Sequence, residues 1–191
     1  MMKRESAPIR LDVIDFTETA ASQSGVESTA NYPRLAAELA PPPADAADTV
    51  AEPPSVAWHI EGERRIGADG ASVPWLYVRA EADVALVCQR CLTPVASTLL
   101  VDRWFRFAAD EATAEAEDEL ADEDVLVVAR DFDVHGLIED ELLMEIPITP
   151  RHDVCPVEIR LSVADANYEE GENVPVNPFA VLENLRPRKA V

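Results

Sequence analysis

The chain is poor in positive charge and in glycine. Its 191 residues hold 16 basic side chains against 37 acidic ones, a formal net charge of −21, and the only lysines are Lys3 and Lys189. Nucleic-acid binding by counterion release needs a basic surface, so the composition argues against it for the chain as a whole. The six glycines are scattered, which argues against a glycine-rich phosphate loop. A chain of this sign favours basic proteins or cations as partners.

Long hydrophobic runs are also missing. No segment approaches the ~20 apolar residues that cross a bilayer, and the first sixteen residues lack the apolar stretch of a secretory signal. We therefore expect a cytoplasmic protein with no membrane partner. Cytoplasmic thiols stay reduced, so the three cysteines are expected to be metal ligands or free thiols rather than to form a stable bridge.

The three cysteines and one histidine fall into two pairs. Cys88 and Cys91 form Cys-x2-Cys, and His152 and Cys155 form His-x2-Cys. Together they make a candidate four-ligand set for a structural zinc ion. Two alternatives stay open: Cys88 lies on the apolar side of its predicted strand and can simply be packed there, and a Cys-x2-Cys pair can be redox-active. Redox pairs usually begin a helix, whereas this one ends a strand.

Alternation of apolar and polar residues predicts the strands. Residues 76–88 alternate over their whole length, and residues 95–107 return after the cysteine pair. Shorter strands are predicted at 9–16, 55–61 and 125–128. We therefore expect an α+β fold: a mainly antiparallel sheet with a long hairpin carrying Cys-x2-Cys at its tip, a few helices, and mobile acidic and proline-rich segments.

Capping residues and apolar stripes predict three helices, at 31–40 with Asn31 as cap, from Asp133 to about Glu145, and over 177–185. The second has an apolar stripe that includes Ile138 and Leu142. Its acids Glu139, Asp140 and Glu141 are expected to face solvent, which we favour over a catalytic carboxylate pair.

Composition suggests three regions. Residues 1–54 hold a short strand, a helix and a proline-rich linker, and the sequence leaves open whether they pack on the main domain. Residues 55–165 form the α+β core domain, in which the acidic stretch 110–124 is expected to be a mobile loop because nine of its fifteen residues are acids. Residues 166–191 form a C-terminal tail with the last predicted helix.

Three segments resemble the YceD family, the bacterial large ribosomal RNA subunit accumulation proteins. They are CQRCL at 88–92, IEDELLMEIPITPRHD at 138–153 and NPFAVLENL at 177–185. The resemblance implies a role in the synthesis, processing or stability of large-subunit ribosomal RNA. We expect that role to be non-enzymatic, with no catalytic residues and no small-molecule substrate.

The charge suggests how such a role is carried out. An acidic chain can dock a basic ribosomal or assembly protein and reach ribosomal RNA only indirectly or weakly. The candidate docking residues are four acids of the acidic stretch and two apolar residues of the last predicted helix: Asp118, Glu119, Asp122, Glu123, Phe179 and Leu182.

The alternative is a zinc-stabilised module that binds ribosomal RNA directly. Its candidate contacts are Arg103, Trp104 and Arg106, since arginine and aromatic side chains on a sheet can stack against bases. An enzyme that cleaves or modifies RNA is a third class, for which Glu139 and Glu141 are the carboxylates to test.

Overall fold

The alternating segments form strands of one sheet in the computed structural model of the chain, which describes residues 9–41, 53–67, 70–159 and 179. In chain order the elements are β1 (Arg10–Leu11), α1 (Val13–Glu18), β2 (Ser22–Ser28), α2 (Pro33–Glu38), β3 (Ser55–Ile66), β4 (Ser72–Val87), β5 (Pro94–Ala108), α3 (Glu111–Asp118), β6 (Val125–Val127), β7 (Phe132–Asp133) and α4 (Val134–Met144). A 3-10 turn, Thr29–Asn31, precedes α2.

The main sheet has the strand order β2-β3-β4-β5-β6. Its first four strands are antiparallel neighbours and β6 runs parallel to β5. The strands β4 and β5 pair from Val87 opposite Pro94 to Trp75 opposite Arg106, so the cysteine pair lies in the turn that joins them. A separate short ladder joins β1 to β7. The predicted α+β fold with a mainly antiparallel sheet is confirmed.

The alternating side chains give the sheet two unlike faces. On the covered face, apolar residues of β3, β4 and β5 are buried against α1, α2 and α4; they include Ile60, Val78 and Phe105. At Gly62 an added Cβ would lie 2.6 Å from a ring carbon of Phe16, so only glycine lets α1 approach β3 this closely. The opposite side we call the open face; on the central strands it includes His59, Glu61, Glu63, Arg65, Trp75, Tyr77, Arg79, Glu81, Asp83, Thr98, Leu100, Asp102, Trp104 and Arg106.

The prediction of a strand at 9–16 is wrong beyond its first residues, because the carboxylate of Asp12 caps a helix there. That carboxylate accepts hydrogen bonds from the backbone N–H groups of Ile14 and Asp15. Helix α1 then buries Val13 and Phe16, which lie three positions apart on one side. The apolar residues of 9–16 fit both the two-residue period of a strand and the 3.6-residue period of a helix. The Asp12 cap and the burial of Val13 and Phe16 favour the helix.

The predicted helix at 31–40 is shorter than expected. Helix α2 covers Pro33–Glu38, and its cap position is Tyr32, whose side chain makes no capping hydrogen bond, rather than Asn31. The polar strand β2 was not predicted at all, since its sequence SQSGVES has no clear alternation. The proline-rich linker prediction falls mostly on residues 42–52, which lie outside the described residues.

The prediction of a loop at 110–124 is wrong for Glu111–Asp118, which form α3. The Asp110 carboxylate caps this helix by accepting a 2.9 Å hydrogen bond from the N–H of Thr113. Ala114 is buried against Ala108 and Val125, so α3 packs on the end of the sheet. Ordering of this stretch is possible because several of its acids are paired with arginines of β5.

Contacts divide the chain into two compact units, Met1–Glu158 and Ile159–Val191.

Helix α4 and its cap Asp133 confirm the helix predicted from that residue. The predicted helix at 177–185 lies outside the described residues, apart from Phe179. Within the described ranges, no helix combines the length and apolarity that a membrane span requires.

Candidate metal centre and sheet surfaces

The turn between β4 and β5 folds back on itself and brings its two cysteines together. The Cys88 N–H donates to the carbonyl of Thr93 at 3.0 Å, and the Leu92 N–H donates to the carbonyl of Cys88 at 2.9 Å. Leu92 adopts a φ of 61°, the left-handed conformation that non-glycine residues seldom take. Such strain persists only where the surroundings enforce it.

The segment after α4 is attached to the same turn by hydrogen bonds. The Gln89 N–H donates to the carbonyl of Pro150 at 2.8 Å. Two residues further on, Nε2 of His152 lies 3.1 Å from the carbonyl oxygen of Pro94. These contacts carry the second ligand pair to the first across 61 residues of sequence.

All four predicted ligands meet at one point. One ligand atom from each of Cys88, Cys91, His152 and Cys155 lies within 4.8 Å of the other three. Cys88 is buried and the other three are half-buried. A carbonyl can only accept, so the imidazole donates to Pro94 through Nε2–H, and in the neutral imidazole Nδ1 then carries the lone pair that a metal ion would use. That Nδ1 lies 3.5 Å from Sγ of Cys91, on the side of the thiols.

The environment of the cluster favours thiolates. Burial works to raise the pKa of the Cys88 thiol, but hydrogen bonds from the backbone N–H groups of Cys91 and His152 outweigh it and lower that pKa to about 5. The Thr93 hydroxyl lowers the pKa of Cys91, while burial raises that of Cys155. Metal ions bind thiolates, so the lowered pKa values of Cys88 and Cys91 favour metal binding, whereas the raised pKa of Cys155 opposes it. Three sulfurs and one imidazole nitrogen form a set compatible with a metal ion, and structural zinc uses such sets.

Glu139 is not on the solvent side of α4, and that prediction is wrong. Its carboxylate is buried and accepts hydrogen bonds from the backbone N–H groups of Arg34, at 2.7 Å, and Leu35, at 3.3 Å. It also pairs with the Arg34 guanidinium at 2.9 Å. The N-terminus of α2 has no capping side chain of its own, so Glu139 supplies the missing acceptor from another helix. No signal in the sequence pointed to this contact, because Asn31 was predicted to cap the helix and only the structure shows its start uncapped.

Glu141 is also withdrawn from solvent, with a side chain 12% exposed, whereas Asp140 is exposed as predicted. Burial raises the pKa of Glu141, partly opposed by Arg103 at 3.0 Å. The carboxylates considered for catalysis therefore serve as structural acceptors in this fold.

The three candidate RNA contacts lie at one end of β5, and the charges of the two arginines among them are already compensated. Arg103 pairs with Asp124 at 2.7 Å and with Glu141 at 3.0 Å. Arg106 lies 3.2 Å from Glu117 and 3.7 Å from a carboxylate oxygen of Glu123. Trp104 is half-buried on the open face.

The predicted docking acids are only partly together. Asp122 and Glu123 line a cavity of about 580 Å³ beside β4, together with Val73, Arg106 and Glu117. Asp118 accepts a hydrogen bond from the N–H of Val125, and Glu119 is the exposed C-cap of α3. Phe179, in the second unit, is 69% exposed, and Leu182 lies outside the described residues.

One feature of the open face was missed by sequence reasoning. The Arg65 guanidinium lies 4.2 Å from the ring centre of Trp75 and 4.1 Å from that of Trp104. The Tyr77 ring lies 5.1 Å from the Trp104 ring on the same face. Tyr77 and Trp104 lay on the polar sides of predicted strands, whereas Arg65 and Trp75 lay outside the predicted bounds. The contact among the four depends on the register of three strands.

The fold and the cluster define an α+β protein with a Cys3His candidate metal centre at the tip of its longest hairpin. The family described as large ribosomal RNA subunit accumulation protein YceD matches residues 76–186, which include that whole cluster. A protein of the same description from Haemophilus influenzae is 25% identical over 189 residues, covering 98% of this chain and 100% of the relative. The chain therefore belongs to the YceD family. No solved structure matches it.

Proposed function

We propose that this chain promotes the accumulation of large-subunit ribosomal RNA as a cytoplasmic, non-enzymatic factor that acts through a basic protein partner. The descriptions of the family and of its Haemophilus influenzae relative both name large ribosomal RNA subunit accumulation. The net charge of −21 supports a basic partner, because ribosomal proteins are strongly basic and an acidic surface can shield them before assembly.

The ion pairs that the candidate RNA-binding arginines already make are the observation that favours a protein partner over bare RNA. Both arginines of the candidate RNA set, Arg103 and Arg106, already lie beside two carboxylates each. Phosphate binding would require those carboxylates to be displaced or left facing an anion. Counterion release needs free cationic side chains, and these two are compensated.

The carboxylates support a non-enzymatic role. Glu139 is occupied by three donors from α2, and Glu141 is paired with Arg103. If purified protein cleaved or modified RNA, and Glu139→Gln or Glu141→Gln abolished that turnover without unfolding the chain, the role would instead be catalytic.

A depletion and a purification test the function. Depleting the protein from cells that carry it should lower large-subunit ribosomal RNA relative to small-subunit ribosomal RNA. Tagged protein purified at moderate salt should retain a basic ribosomal or assembly protein after ribonuclease treatment. Recovery of naked RNA alone, with no basic protein, would show the mechanism to be wrong.

We also propose that Cys88, Cys91, His152 and Cys155 hold one structural zinc ion. The four ligand atoms converge within 4.8 Å, and the hydrogen bond to Pro94 directs Nδ1 of His152 towards the thiols. With four protein ligands the site is closed and leaves no position for a substrate, which suits a structural rather than a catalytic ion. Bound zinc would cross-link the β4–β5 turn to the segment after α4.

Metal content tests this site separately from the function. Purified protein should contain one zinc ion per chain by elemental analysis, and cobalt substitution should give the visible absorption of a tetrahedral thiolate site. Cys91→Ser should lose the ion, while His59→Gln, which changes a histidine of β3, should keep it. Folded protein that neither contains zinc nor takes up cobalt would rule the site out.

A further inference from the structure

We infer that the open face of the sheet is the docking surface for an arginine-rich segment of a basic protein. The inference rests on the proposed function, because it names the surface by which the proposed partner is held. It combines three observations: an uncovered sheet face, an aromatic cluster that already holds a guanidinium, and an excess of carboxylates around that cluster.

The middle of the open face is not covered by any described element. Helices α1, α2 and α4 pack on the covered face, and α3 packs on the end formed by Ala108 and Val125. Between them, Arg79, Glu81 and Asp102 keep about half of their side-chain surface exposed. Leu100, at the same level of the sheet, is 43% exposed although it is apolar.

The aromatic cluster on this face is suited to guanidinium groups. Trp75, Tyr77 and Trp104 are half-buried on the surface and are not part of the core. The Arg65 guanidinium sits about 4 Å from both tryptophan ring centres and pairs with the carboxylate of Glu63. Aromatic faces attract cations through their quadrupole, and arginine is the usual partner. The chain thus displays on itself the contact that we assign to the partner's arginines.

Carboxylates surround the cluster and set the sign of its ligand. Glu61 lies opposite Tyr77 in the β3–β4 register, and Glu81 lies opposite Leu100 in the β4–β5 register. Beyond Trp75, the cavity of about 580 Å³ is lined by Glu117, Asp122 and Glu123 against a single arginine. A segment that combines several arginines would meet aromatic rings in the middle and carboxylates at both sides.

The same arrangement disfavours nucleic acid as the occupant. Aromatic rings could stack on bases, but a phosphate backbone crossing this face would run past the carboxylates named above. The arginines of the face are each within 4.0 Å of a carboxylate: Arg65 with Glu63, Arg79 with Glu81 and Asp102, and Arg106 with Glu117 and Glu123. Complementary charge therefore selects a basic polypeptide.

Binding of a defined peptide tests the surface. The probe is a short synthetic peptide in which arginine alternates with glycine, labelled for fluorescence anisotropy and titrated with the full chain. Substituting both Trp75 and Trp104 with leucine should weaken binding by about tenfold, because the cation–π contacts are lost while apolar bulk is kept. A single-stranded RNA of uridines serves as the competing probe.

A charge-matched pair of variants keeps the test valid if the tryptophan variant is unstable. Glu61→Gln with Glu81→Gln removes two charges from the open face, whereas Glu18→Gln with Glu38→Gln removes two from the exposed ends of α1 and α2. Both pairs change the net charge equally. The open-face pair should weaken peptide binding by about fivefold more than the helix pair.

The outcomes separate the surface from the function. If the wild-type chain binds the peptide but both open-face variants bind it equally well, the surface is wrong and the proposed function stands. If the wild-type chain binds neither the peptide nor any basic ribosomal protein, the proposed function itself fails. If the tryptophan variant loses the uridine RNA but keeps the peptide, the face binds RNA and the inference is overturned.

Discussion

The two faces of the sheet are built from alternate residues of the same strands and differ in what holds their side chains. On the covered face, Val78 and Phe105 pack among apolar neighbours supplied by the helices. On the open face, Tyr77 and Trp104 contact each other, while hydrogen bonds and ion pairs join the polar neighbours. The difference indicates that the covered face contributes most of the packing energy, whereas the open face keeps large side chains half-buried at the surface.

The covered face should show the largest stability effects. Leu142 of α4 is fully buried against the sheet, so Leu142→Ala should lower the free energy of unfolding by about 2–5 kcal/mol through lost contacts and a cavity. Met144, on the same helix, is 80% exposed, and Met144→Ala should change the free energy of unfolding by no more than about 0.5 kcal/mol. Urea denaturation measures both. Equal effects would mean that α4 does not pack as described.

The buried contact between Glu139 and the N-terminus of α2 should have the next largest effect on stability. Glu139→Ala would leave the N–H groups of Arg34 and Leu35 without their acceptor and should lower stability by about 2 kcal/mol. Asp140→Ala removes the other carboxylate of the same arginine, but that pair is exposed and should contribute less than about 1 kcal/mol. If the two variants were equally stable, the cap supplied by Glu139 would have no energetic role.

The free energy of unfolding should also depend on pH through Glu141, which is withdrawn from solvent. Burial raises the pKa of Glu141 in the folded chain, so its contribution to stability is present below the unfolded-state pKa and is lost as pH rises through the folded-state pKa. Glu141→Gln cannot ionise. The variant should therefore gain stability relative to wild type between about pH 4 and pH 7, as seen by denaturation at both values. A difference from wild type that is constant or falls with pH would contradict the assignment. Glu115→Gln, on the exposed side of α3, is the control for a lost surface charge.

Neighbouring residues of β4 provide the smallest effect and a matched contrast. Tyr77→Phe removes an exposed hydroxyl that donates to Asp102 at 2.8 Å and should change stability by no more than about 0.5 kcal/mol. Val78→Ala, one residue further on and fully buried, should cost more than about 1 kcal/mol. Thermal unfolding of the two variants compares the faces directly. A larger loss for Tyr77→Phe would contradict the division of roles between them.

Local sequence patterns correctly predicted those strands and helices that are determined by residues within the element itself. The thirteen-residue alternation at 76–88 corresponds to β4, and Asp133 begins α4 as its side chain required. The prediction failed at 9–16 and in the acidic stretch, where a capping aspartate and packing against distant strands overruled the pattern. It also failed at Glu139, since the donors that bury this residue belong to another helix 105 residues away.

The candidate metal cluster was predictable for a different reason. Two pairs of ligands at zinc-like spacing are visible in the sequence, because each pair is local. Their convergence is not visible, since it depends on hydrogen bonds between the hairpin turn and the segment after α4.

Composition and spacing alone determined that this chain is strongly acidic, forms a long hairpin and carries four candidate ligands. Only the tertiary structure decided that those ligands meet, that Arg103 and Arg106 are matched by carboxylates, and that aromatic rings surround Arg65 on an uncovered face. The physical reason is range: periodicity and caps act within a few residues, whereas burial and charge pairing depend on which distant surfaces the packed chain brings together.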